Sequence, residues 1–187
     1  MLKTKKKIEE AKLTLPELGL GDLYVSSDEL SRWLREVDAG ELVLIVDACH
    51  SAAAIEGTDF KPGPMGSRGL GQLSYDKGMR ILTATQADNV ALEKGGLGLL
   101  MHALLLDGLT GWQADYKPRD KAILLTEWLG YGVERVPQLY EKLYAEMKDG
   151  RRRGTFDPRE LADGKTQQPA LFDFARRRRE VVLARQP

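Results

Sequence analysis

Leu42-Val43-Leu44-Ile45-Val46, followed at once by Asp47-Ala48-Cys49-His50-Ser51, is the stretch on which the fold of this chain turns. Five consecutive aliphatic residues leave no polar side chain to face water, so the run predicts a strand buried on both faces, as in a sheet covered by helices. Such a strand delivers Cys49, the sole cysteine of 187 residues, at its carboxyl end. A thiol attacks only as thiolate, which requires partial exposure and a nearby base or positive charge, and a strand end permits both. A lone cysteine is otherwise more often a small, inert core residue.

Upstream, Ser26 and Glu29 form a capping box, and Leu30, Trp33, Leu34 and Val37 recur on one helical face, which predicts a short amphipathic helix ended by Ala39-Gly40. Residues 1–20, with Lys3, Lys5, Lys6, Lys7, Glu9 and Glu10 near their start, read as a polar arm or truncation boundary, and residues 21–187 as one partial domain. Downstream, Gly57, Pro62, Gly63, Pro64 and Gly66 fit only a surface loop. Leu70 to Gly78 suggests a short helix, and Met79 to Thr85 a second strand leading into the polar turn 86–89. Strand, helix, strand is a βαβ unit, which pairs its strands in parallel and gathers functional groups at their carboxyl ends. Further on, Leu97 to Leu109 predicts an apolar helix, and Ile123 to Met147 another with Thr126 as its cap and Pro137 as a kink or break. Ala170 to Phe174 alternates as a strand does, and Val181 to Leu183 reads as a last strand.

Composition narrows the classes. With 28 basic and 28 acidic residues the chain has no net charge, so nothing argues for a nucleic-acid partner. The longest uncharged apolar stretch, 95–106, is too short to span a bilayer, and the Lys-rich start lacks a following apolar segment, so the expectation is a cytoplasmic protein with no membrane partner. One cysteine and two histidines offer neither an internal disulfide nor a zinc cluster.

The string Asp47-Ala48-Cys49-His50-Ser51 behind a Val/Ile/Leu strand, the run Gly69-Leu-Gly-Gln-Leu, the Ala84-Thr85-Gln86-Ala87 segment and Gln168-Pro-Ala-Leu-Phe-Asp-Phe together resemble the caspase-like cysteine peptidases (the C14 peptidases), specifically metacaspases and bacterial orthocaspases. The resemblance covers about Leu23 to Phe174. It implies an α/β fold, a three-layer sandwich with a mainly parallel sheet flanked by helices, whose N-terminal strands are missing from this sequence. It also implies a cysteine endopeptidase that cleaves through a thioester on Cys49. Asp47, two residues before Cys49 and on the same side of the strand, corresponds to the substrate-binding acid that selects arginine or lysine before the cut bond, a charge-assisted pairing that a guanidinium can make bidentate. The plainer alternative is an aspartate capping the next turn. The Cys49 amide is implied as an oxyanion donor, while Ala52 replaces a glycine common after the serine.

The family's catalytic base is a histidine in a His-Gly motif about 50 residues ahead of the cysteine. No histidine precedes Cys49 in this sequence. His50 adjoins the thiol and should point to the opposite face, and His102 falls on the apolar helix, where a packed or rim position is expected. The chain alone is therefore expected to be inactive, its partner being a complementing N-terminal half as well as a peptide substrate with a basic side chain. The alternative from another class is a non-catalytic caspase-like binding or scaffold module. Calcium binding, frequent in metacaspases, lacks support, since only Glu56 and Asp59 lie in the loop after the cysteine and calcium prefers six or more oxygens. No cofactor or metal is expected. Lys61, Arg68 and Arg151 to Arg153 are exposed basic positions at which self-cleavage is conceivable.

Overall fold

The computed structural model describes residues 27–48, 70–86, 91–94, 96–148, 166–175 and 180–186. The chain divides into two compact units, Met1–Asp38 and Ala39–Pro187. In the first, helix α1 (Ser27–Arg35) occupies most of the expected amphipathic stretch but ends before Val37, with Arg32 and Glu29 3.9 Å apart on adjacent turns; Ser26, the expected cap, lies outside the described residues.

The second unit is mixed α/β. Strand β1 (Val43–Val46) pairs in parallel with β2 (Arg80–Thr83), with Val43 opposite Arg80 and Val46 opposite Thr83. Between them helix α2 (Leu70–Lys77) buries Leu70, Leu73 and Ser74 and ends at Gly78, whose φ of 67° is the left-handed conformation a helix stop favours. The βαβ expectation is thus met in its strands and helix. The sheet is nevertheless mixed, because β6 (Ala170–Asp173) joins β2 on its other side antiparallel. Every residue of β2 is buried, as its central place in the order β1-β2-β6 requires. At the end of the sheet remote from Asp47, the buried Arg80 guanidinium bridges Glu41 before β1 and Asp173 at the end of β6, the latter at 3.3 Å.

The apolar run after Gly95 departs from expectation. A short hairpin, β3 (Glu93–Lys94) with β4 (Leu97–Gly98), comes first, and helix α3 (Leu99–Met101) starts only after Gly98 before widening into a π-helix, His102–Thr110. The wide turn brings residues five apart onto one face. His102 Nε2 consequently lies 3.8 Å from Asp107 Oδ1, and Asp107 Oδ2 accepts from Arg135 Nε at 2.7 Å.

Ile123 likewise proves to be strand. β5 (Ala122–Leu124) pairs antiparallel with β7 (Val182–Arg185) in a separate two-stranded sheet, and helix α4 (Leu125–Lys148) follows without a loop. Thr126 does not cap it, since its hydroxyl donates to Glu180 at 2.8 Å. The buried Glu127 carboxylate does that work, accepting the Leu124 amide at 3.0 Å and the Lys117 amide at 3.2 Å. Pro137 sits inside α4 without ending it. The helix buries Leu129, Val136, Leu139, Tyr140 and Leu143 in the same core as Leu82, Leu99, Leu100 and Leu104, and burial at about 1.5–3 kcal/mol per large apolar side chain exceeds the ~3 kcal/mol that an internal proline costs.

Candidate functional site

The carboxyl ends of β1 and β2 define the rim where a catalytic group is expected. Asp47 and Ala48 are the last described residues before the thiol; Cys49, His50, Ser51, Ala52, Glu56 and Asp59 lie outside the described residues, as do Lys61, Arg68 and Arg151 to Arg153. What the structure supplies is the approach to Cys49. Ala48 is exposed, Asp47 half-buried.

Strand periodicity decides where Asp47 points. Val43 and Ile45 pack against the core formed with α3, the π-helix and α4, and the next residue on that face is Asp47. Its Oδ2 accepts the Met101 amide at 2.9 Å, so the carboxylate caps the first turn of a helix that begins 52 residues later in the chain. The helix dipole favours an anion there. The approach is close enough that a Cβ on Gly98 would overlap the carboxylate. Glycine is required at 98 by contact, not by its backbone angles. Oδ1 has no hydrogen-bond partner among the described residues. Burial pushes the Asp47 pKa above the ordinary value of 3.8, and the Met101 amide offsets part of that rise.

Three further residues build the rim. Thr85, fully buried, directs its hydroxyl toward the Ala48 carbonyl across a long 3.5 Å contact, one residue before the cysteine. The Thr83 hydroxyl lies 3.1 Å from the Thr85 carbonyl and 3.3 Å from that of Ala170, joining β2 to β6. Gln167, also fully buried, donates to the Ala84 carbonyl at 3.1 Å and accepts the Leu92 amide at 2.8 Å, tying the end of β2 to the segment after the turn. The sequence names Asp47 and Cys49 as site residues and marks Thr85 only within the Ala84–Ala87 segment of the resemblance, while Gln167 and the Met101 amide leave no sign. The one signal was the glycine density at 95–98, which marks a close approach rather than a helix start.

His102 stands in the turn after Met101, with its imidazole largely buried and turned along the helix toward Asp107. Among the described residues no three His, Cys, Asp or Glu side chains converge on a metal position, and no helix is long and apolar enough to cross a membrane. No protein-family model matches the chain, and neither a curated protein nor a solved structure matches it.

Proposed function

We propose that this chain is the nucleophile-bearing portion of a caspase-like cysteine endopeptidase of the metacaspase or orthocaspase type, built on a three-layer sandwich and cleaving after arginine or lysine. The observation that carries the proposal is the Asp47 carboxylate: held through one oxygen, half-buried, and two residues from the sole thiol. Among the described residues nothing donates to its second oxygen, which is placed to accept from a guanidinium or ammonium, and burial strengthens such a pair relative to one in open water. The Cys49 thiolate attacks the scissile carbonyl, the amine leaves with a proton, and water releases the peptide from the thioester.

The proton-accepting histidine is, in this proposal, brought by a segment that docks beside β1. In the described part of the three-stranded sheet β1 is an edge. The Leu42 and Val46 carbonyls accept from Arg80 and Ala84, so the alternation of a parallel ladder turns the backbone groups of Val43 and Ile45 outward. Edge strands are ordinarily protected by charge or proline, and Val43-Leu44-Ile45-Val46 has neither. That composition is one of a central strand.

The test mixes the chain with a polypeptide carrying a His-Gly strand and measures cleavage of an arginyl fluorogenic peptide. Turnover that vanishes in Cys49→Ala and falls steeply for a glutamyl peptide is expected. No Cys49-dependent turnover would count against the proposal.

A further inference from the structure

We propose that a cleft between the segment 112–119 and helix α4 binds a small anion carried on a flat ring, in a site separate from the cysteine rim. The cleft holds about 560 Å3, within the range of small-molecule sites. It opens beyond the carboxyl end of the π-helix, whereas Asp47 meets the other end of the same helical stretch at Met101.

Three rings form its walls. Tyr116 and Tyr131 meet edge to face, with centroids 5.8 Å apart and planes at 73°. Trp112 is the third, and its backbone is unusual, since φ is 55°. The Gly111 amide donates to the Leu106 carbonyl at 2.8 Å and the Gln113 amide to that of Asp107 at 3.1 Å, which makes Trp112 the left-handed residue of a helix stop, a place glycine normally takes. A bulky side chain at such a position carries backbone strain that a glycine there would not. The indole packs beside Ala114, Ile123 and Tyr131 and lines the cleft.

Unused hydrogen-bond donors choose the occupant. The acids of the cleft have their oxygens engaged: the two Asp115 oxygens accept the amides of Asp120 and Lys121 at 3.0 and 3.1 Å, and Glu134 accepts Lys117 Nζ at 3.0 Å, which also balances the Glu134 charge. Arg135 is committed to Asp107 and Gln138. Arg119, exposed at the cleft, has no ion pair or hydrogen bond among the described residues. The Tyr131 hydroxyl donates to Gln113 Oε1 at 2.7 Å, which leaves the Gln113 amide hydrogens as donors. Burial, with the nearby Glu134 charge, pushes the Tyr116 pKa up to about 12. Tyr131 is buried and the Lys117 ammonium lies 4.7 Å from the Tyr116 ring centroid, so the uncommitted groups are a guanidinium and an amide donor beside the Trp112 indole. A carboxylate or phosphate answers the donors, and a planar ring answers the indole face.

Two sources offer that chemistry: an aromatic carboxylate, as at a peptide terminus, and a nucleoside monophosphate. The test titrates the isotope-labelled chain with N-acetyl-tyrosine and, separately, with adenosine monophosphate, following the amide resonances of 112–138. Saturable shifts from either probe are expected and identify the source. Arg119→Ala should weaken binding roughly tenfold or more, as loss of a charged hydrogen bond does. Trp112→Gly suits the left-handed backbone, and its amide spectrum reports whether the fold is kept; titrated with adenosine monophosphate and with inorganic phosphate, the folded variant should have lost the preference for a ring. No shift with either probe, or undiminished ring-selective binding in both variants, overturns the proposal.

Discussion

Two influences on the Asp47 carboxylate oppose each other: burial disfavours its charge, and the Met101 amide at the start of α3 favours it. Burial is the larger, so the folded chain holds the Asp47 proton more tightly than an unfolded chain with the ordinary value of 3.8. The native state then binds more protons through that window, and this residue's contribution to stability declines as pH rises from about 3.8 through the raised value, then levels off. Asp47→Asn removes the effect. Its stability relative to the parent should grow over the same window and be flat above it, as denaturant unfolding at a series of pH values will report; a difference independent of pH contradicts the assignment. A cationic probe such as benzamidine requires the ionised carboxylate, so its binding should weaken as pH falls through the raised value and vanish in the Asn variant. Gly98→Ala forces a methyl group into the carboxylate and is expected to cost about 1–3 kcal/mol, the usual range for overpacking, with displacement of the Met101 amide resonance. The position of Asp47 at the end of β1 was legible in the sequence, while Cys49 lies outside the described residues. The capping partner was not, because Met101 lies 54 residues away and a backbone amide leaves no mark in a side-chain pattern.

Among elements, β1, α2 and β2 could be read directly from an aliphatic run, a glycine stop and a β-rich segment, although β1 is half-buried along its length rather than buried on both faces and the fully buried strand is β2. The segments that misled were those decided by distant contacts. Gly98 sits inside an apolar stretch that periodicity reads as one helix, yet it serves as the cap where Asp47 docks. Thr126 looks like the better cap for α4 until Glu127 is seen to bind two backbone amides, one of them from Lys117. β6 alternates as foreseen, but its antiparallel direction depends on where residues 170–173 return to the sheet. The Arg80 bridge holds all three strands at one end. Its side chain is only 4% exposed, against 26% for Glu41 and 46% for Asp173. Arg80→Ala is therefore expected to destabilise by about 3 kcal/mol, the low end for a broken buried pair, because the two carboxylates regain water. A loss below about 1 kcal/mol, the range of surface pairs, would show the bridge to be peripheral.

For the whole molecule, the edge position of β1 among the described residues and the lack of a histidine before Cys49 in this sequence bear on the same proposal. On the proposed function, a strand with apolar residues on both faces would gain a neighbour, and the Cys49 thiol a base, from one docked segment carrying a histidine. The measurement that tests this most directly is covalent labelling of Cys49, in the presence of a His-Gly segment, by chloromethyl ketones carrying arginine or glutamate next to the reactive carbon. Faster modification of Cys49 by the arginyl reagent, lost in Asp47→Asn and absent without the added segment, is the predicted result. Equal rates for the two reagents, or arginyl labelling indifferent to Asp47, would contradict it.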